Sequence, residues 1–128
     1  MLTHLVPDGI RQPFARYSHG VEIPADHRIV VCSGQLGITA EDVVPAGVEA
    51  QSELCFSNIS AILREAGMDY SDIARINAYV TAREHLAGYM AVRDRLMDEP
   101  APASTLMIVS GFAREEFVVE IEVLASKA

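Results

Sequence analysis

Apolar positions recur along this chain with two different periods, and the switches between them mark its elements. From Val48 to Ala66, apolar residues at Val48, Cys55, Ile59, Ile62 and Ala66 follow a helical repeat, while Glu49, Glu53, Ser57 and Arg64 take the opposite side. The pattern predicts an amphipathic helix ended by Gly67. Ile73 to Val80 is rich enough in β-branched residues for a strand. Thr81-Ala82-Arg83-Glu84 then has the T-x-x-E form in which a cap and the third residue satisfy each other's backbone donors. A second helix is therefore expected from Ala82, with Leu86, Tyr89 or Met90, Arg93, Leu96 and Met97 facing inward, stopped by Pro100 and Pro102. Thr105 to Val109 and Glu116 to Ala125 read as strands. In the last one Phe117, Val119, Ile121 and Val123 face one way, and Val118, Glu120, Glu122 and Leu124 the other. Upstream, residues 17–23 and 28–33 are β-rich and joined by Pro24-Ala25-Asp26-His27, which predicts a hairpin. Gly34 to Gly47 reads as a loop, and residues 2–6 as an additional N-terminal strand.

The resulting order, β-β-α-β-α-β-β, suits an α+β fold with a single sheet and both helices on one face. The other face carries two carboxylates beside Val118 and Leu124 and needs cover, for which subunit association is the natural means. No repeat, low-complexity tract or linker divides the 128 residues, so one domain over 1–128 is expected.

Half the residues are apolar, as a folding globular chain requires. The N-terminus lacks the basic and apolar regions of a signal peptide, and no apolar run approaches membrane-spanning length, so a cytoplasmic protein without membrane partners is predicted. A net charge of −8 repels phosphate backbones, which argues against nucleic acid. Cys32 and Cys55 have no CxxC spacing and read as small buried hydrophobes. The histidines form no metal-ligand pattern, so no metal is expected.

Several segments, in order, resemble the Rid (YjgF, reactive intermediate deaminase) family, whose relatives also carry the name endoribonuclease L-PSP. They are Tyr17-Ser18-His19-Gly20-Val21, Cys32-Ser33-Gly34-Gln35, Ala50-Gln51, Ser57 to Leu63, Ala66-Gly67, Tyr79-Val80, Pro102-Ala103-Ser104-Thr105 and Val119 to Val123. The resemblance implies a chorismate-mutase-like fold assembled as a trimeric barrel with sites in the clefts between subunits. It also implies cofactor-independent hydrolysis of an enamine or imine to a carbonyl compound and ammonia. Such a site needs proton handling and an oriented water, both within the reach of a carboxylate.

A strand glutamate is ordinarily a solvated charge, but Glu120 matches the family's water-activating glutamate, while Glu122 reads as structural. Tyr17 matches a pocket-lining aromatic and Ser33 a ligand hydrogen bonder. Ser33 is in no GxSxG elbow and has no base, so it is not read as a nucleophile. His19 reads as structural. At Ala103 the deaminase branch has an arginine that clamps the substrate carboxylate, so this chain departs from that branch, and Thr105 stands where a cysteine often follows. Arg114, in the loop before the last strand, is a candidate replacement. The substrate is therefore expected to differ from 2-aminoacrylate. The alternative reading is a non-catalytic trimer that binds a metabolite in the same cleft as a sensor or carrier. A nuclease is disfavoured by the acidic charge.

Overall fold

In the computed structural model, which describes residues 1–128, the longest helix is α1 (Val48–Glu65). It buries Gln51, Ser52, Cys55, Phe56, Ile59 and Leu63, so its inner face is the expected stripe widened to both sides. Gly67, at φ 71, supplies the left-handed conformation that ends it. Strands β1 (Thr3–Leu5) and β2 (Gly20–Glu22) form a separate two-stranded ribbon. The main sheet contains β3 (Arg28–Val31), β4 (Gln35–Leu36), β5 (Ile73–Val80), β6 (Ala103–Ile108) and β7 (Val119–Lys127) in the order β3-β7-β5-β6, with β4 pairing to β7 beyond β3. The helix α2 (Leu86–Leu96) crosses between the parallel neighbours β5 and β6, and α1 packs against both α2 and β7. Phe56, Ile59, Leu63, Ile76, Ala78, Val80, Tyr89, Val119 and Ile121 are fully buried between helices and sheet.

Three expectations are corrected. Residues 17–23 and 28–33 do not form a hairpin, because β2 pairs with β1 and β3 with β7. The turn closes through His27 N–H to the Pro24 carbonyl at 3.2 Å, and none of its residues has the positive φ of a tight hairpin turn. The sheet is consequently not single, and the expected 34–47 loop contains β4. The second helix does not start at Ala82: a 3-10 turn over Arg83–His85 precedes α2, and no side-chain cap forms. Thr81 N–H instead donates to the Val118 carbonyl at 3.1 Å, which keeps the backbone extended and takes Thr81 out of the capping geometry. A capping box does form at Asp69 and Asp72. Arg93 is inward-facing as expected, 3% exposed, with its charge met by Asp94 at 3.0 Å.

The approach to β7 is fixed by Gln51, which is 1% exposed. Its Nε2 donates to the carbonyls of Pro45 (3.0 Å) and Glu116 (2.8 Å), and its Oε1 accepts from Val118 N–H (3.0 Å). Gln51→Leu keeps the volume but strands these backbone groups. It is expected to cost about 2 to 3 kcal/mol, read as a lowered urea midpoint at fixed protein concentration.

Candidate functional site

Antiparallel partners share a sheet face, so β7 places Glu120, Glu122 and Leu124 opposite Tyr79, Asn77 and Arg75 of β5 on the side away from the helices. The parallel register adds Ala103, Thr105 and Met107 of β6 to the same side. A polar network runs across this face. Tyr79 OH and Asn77 Nδ2 donate to Glu122 Oε1 at 2.8 and 3.2 Å. Arg75 Nε donates to Asn77 Oδ1 at 2.9 Å, and its Nη2 to Thr105 Oγ1 at 2.6 Å. Glu122 is thus the hub of a structural network, held by a tyrosine hydroxyl and an amide with no basic partner.

Glu120 is half-buried and outside that network. A Cβ built on Gly34 would stand 2.8 Å from the Glu120 Cδ and 3.0 Å from its Oε2, so only glycine at 34 leaves room for this carboxylate. Desolvation, and then the charge of Glu122, push the Glu120 carboxyl above its ordinary value. Beneath it Cys55 donates to the Gln35 carbonyl at 3.2 Å. Its thiol is pushed up to about 12 by burial and by the Glu120 charge, so it stays protonated and is no nucleophile. Both cysteines are free and buried, as read from the sequence. No three of the His, Cys, Asp and Glu side chains converge as metal ligands.

The raised Glu120 value has a consequence for stability. A carboxyl whose folded value is raised binds more protons folded than unfolded just above its ordinary value of 4.5, so its contribution to stability falls as pH rises through that interval. Glu120→Gln removes this ionisation. The variant should melt above the parent at pH 7, and the difference should vanish below about pH 4, where both states of the parent are protonated.

Ser33 is exposed and immediately precedes Gly34, over which the Glu120 carboxylate sits. Tyr17 lies elsewhere in the chain. Its hydroxyl accepts from Phe14 N–H at 3.2 Å, and the next residue, Ser18, bridges to Ala103 and donates to the Pro102 carbonyl at 3.1 Å. His19 donates to the Arg11 carbonyl at 2.7 Å and stacks edge-on against Tyr17, a structural role. Ala103 is in register with Arg75, four residues along β5 from Tyr79, the partner of Glu120. With two strand spacings across, Ala103 and Glu120 are roughly 16 Å apart within one chain. The six predicted site residues therefore divide, with Glu120 and Ser33 in one group and Tyr17, Ala103 and Thr105 in another. Arg114 joins neither by any bond: its guanidinium lies 4.8 Å from the Phe117 ring centre, with Nε 3.9 Å from Glu116.

Sequence reasoning missed Gly34, Tyr79, Asn77 and Arg75 as parts of the site, although the period-two alternation of 73–80 carried the signal. A cavity of about 450 Å³ lies away from all of this, between both termini and residues 96–100, and none of the predicted site residues lines it. The carboxylate, its glycine cradle and the polar network mark the chemistry better than cavity size does. No helix is long and apolar enough to cross a membrane.

Residues 9–127 match the family model described as Endoribonuclease L-PSP. Among solved structures, the chain is similar to the Rid family protein YyfB of Yersinia pestis, at 24% identity and a TM-score of 0.85 over 98% of each chain. RidA of an Antarctic Psychrobacter is similar at 29% identity and a TM-score of 0.74, over 98% of this chain and 99% of that one. Among curated proteins, the 2-iminobutanoate/2-iminopropanoate deaminase of Dermatophagoides farinae is 24% identical over 113 residues, covering 87% of this chain and 85% of the relative.

Proposed function

Because the chain belongs to the endoribonuclease L-PSP family, with the α+β fold of the Rid and YjgF proteins, we propose that it hydrolyses a reactive enamine or imine to a carbonyl compound and ammonia. The observation that carries this reading is the half-buried Glu120 carboxyl, raised by desolvation and seated over Gly34, on an open sheet face. A relative named as a 2-imino acid deaminase supports the reaction class.

The chemistry asks for one proton-shuttling group. Glu120 as the acid gives its proton to the enamine carbon, forming an iminium. As the carboxylate it takes a proton from the water that adds to the iminium carbon. The same proton then passes to nitrogen of the carbinolamine, which leaves as ammonia while the hydroxyl becomes the carbonyl. An imine instead takes that first proton on nitrogen, and in either case the hydroxyl proton returns to the Glu120 carboxylate as the carbonyl forms. A raised carboxyl suits both directions of transfer better than one at its ordinary value. Ser33 supplies a hydroxyl beside the reacting centre.

The roughly 16 Å between Glu120 and Ala103 supports a cleft between subunits, where Tyr17 and Ala103 of one copy meet Ser33 and Glu120 of the next. Ile29, Val31 and Met107, 56%, 76% and 51% exposed on the open sheet face, are apolar surface that such assembly would bury. A homotrimer is the expected species, and sedimentation showing a monomer at micromolar concentration would sink it. The methyl group of Ala103 gives no carboxylate clamp there, so 2-aminoacrylate is not the favoured substrate.

The test generates imines in situ with an amino-acid oxidase and follows keto acid and ammonia above the spontaneous rate. Acceleration supports hydrolysis. Thermal stabilisation by the same metabolites without acceleration supports a sensor or carrier instead.

A further inference from the structure

We infer that the cavity beneath the β1–β2 ribbon is a second binding site, separate from the substrate cleft, and that it takes a small amine carrying an apolar body. The inference is independent of the hydrolase reading.

The ribbon closes one end of the main sheet. Ser18, just before β2, bridges to Ala103 at the start of β6, and β3, just after it, pairs Arg28 with Lys127 at the end of β7. The chain between them therefore passes across the strand ends, and β1 pairs with β2 alone. The space of about 450 Å³ left between the ribbon, the strand ends and the last turn of α2 lies within the range that holds small ligands.

Its walls are apolar and, on the sheet side, firmly packed. Ile73 and Met97 are 2% and 3% exposed, and Tyr70, Leu96 and Pro102 continue that surface. The Tyr70 hydroxyl donates to the Phe56 carbonyl at 2.8 Å, which fixes its ring as a wall. Alternation along the first strand turns Leu2 and His4, both half-buried, to the cavity and leaves Thr3 and Leu5 exposed.

The polar groups select the ligand. The His4 ring makes no hydrogen bond within the chain. Burial lowers its pKa by more than the nearby Glu99 charge raises it, so a neutral ring with a free accepting nitrogen faces the apolar space. Among the side chains around the cavity, Asp72, Asp98 and Glu99 outnumber the one lysine, Lys127. Lys127 Nζ is turned to the Gly67 carbonyl at 3.3 Å, Glu99 is met by Arg16, and Asp72 belongs to a capping box. Asp98 has no ion pair. The last carbonyls of α2, which ends at this cavity, add partial negative charge. A free carboxylate and a neutral imidazole beside an apolar wall match an ammonium on a hydrocarbon or aryl body, and the same acidic excess disfavours a carboxylate.

The test uses 2-phenylethylamine as the probe, with phenylacetate as its anionic and 2-phenylethanol as its neutral counterpart. Each is titrated into the full chain carrying carbon-13 at its five methionine methyls. Met97 lies in the cavity wall, whereas Met107 is 51% exposed on the open sheet face and reports the cleft. The amine should shift the Met97 signal saturably and leave Met107 in place, and phenylacetate at the same concentration should shift neither. Asp98→Asn, an exposed substitution, should weaken amine binding about two- to fivefold and leave the weaker binding of 2-phenylethanol unchanged. His4→Phe, which fills the roof with an apolar ring, should abolish the Met97 shift, with thermal melting confirming that the variant folds. An absent Met97 shift, a shift at Met107 alone, equal binding of phenylacetate, or an amine affinity untouched by Asp98→Asn would each overturn the inference.

Discussion

Glu120→Gln is expected to lower the rate of imine hydrolysis by about 10²- to 10⁴-fold, the usual contribution of a positioned acid-base group. Gln keeps the shape and can still occupy the space over Gly34, but it can neither take the proton of the attacking water nor return it to nitrogen. Because the carboxylate lies outside the Tyr79, Asn77 and Glu122 network, its loss breaks no hydrogen bond of that network. Far-ultraviolet circular dichroism and sedimentation should therefore match the parent, and binding of the carbonyl product should persist. A fall in rate that came with loss of assembly would assign Glu120 to structure instead.

Gly34→Ala should lose about 10²-fold in rate with Glu120 itself untouched, the scale of loss expected when a catalytic group is displaced by about an ångström. The new methyl would begin 2.8 Å from the Glu120 Cδ and 3.0 Å from Oε2, so the carboxyl must swing away. That atom group is the end of a flexible side chain, and Gly34 is not among the residues with positive φ, so alanine strains neither backbone nor core. The expected result is a nearly unchanged melting temperature beside a strongly reduced rate. An equal rate in Gly34→Ala would mean that the seat of the carboxylate is immaterial to the chemistry.

The elements dictated by period were legible in the sequence. The burial of β7 alternates along Val119 to Val123 as its residues predict, and α1 begins at Val48 and yields to Gly67. Errors arose where a short polar motif admits two partners. Thr81 had the sequence of a cap, but its backbone N–H was claimed by Val118 across the sheet. Pro24 to His27 had turn composition, yet the strands on either side found partners at the two ends of the chain. Such choices are made by tertiary pairing, to which local propensity is blind.

The site was legible in the same uneven way. Glu120 and Ser33 came from the resemblance, and the seat of the Glu120 carboxylate depends on Gly34, whose close approach has no signature in one sequence. Arg75 is invisible as a member of the polar network until β5 and β6 are known to run parallel in register, which sets it beside Ala103 and within reach of Thr105. The alternation Arg75, Asn77, Tyr79 did indicate a polar sheet face, although it could not say which strands would share it.

The most direct test of the hydrolase reading is competition with semicarbazide. A 2-imino acid is released in situ by an amino-acid oxidase, and the yield of semicarbazone is compared with no protein, the parent and Glu120→Gln. The account predicts that the parent depletes the imine before it is trapped, cutting the semicarbazone signal, while Glu120→Gln leaves the signal close to the spontaneous level. A parent protein that is assembled and binds the carbonyl product, yet leaves the semicarbazone yield unchanged across 2-imino acids of several chain lengths, would contradict it.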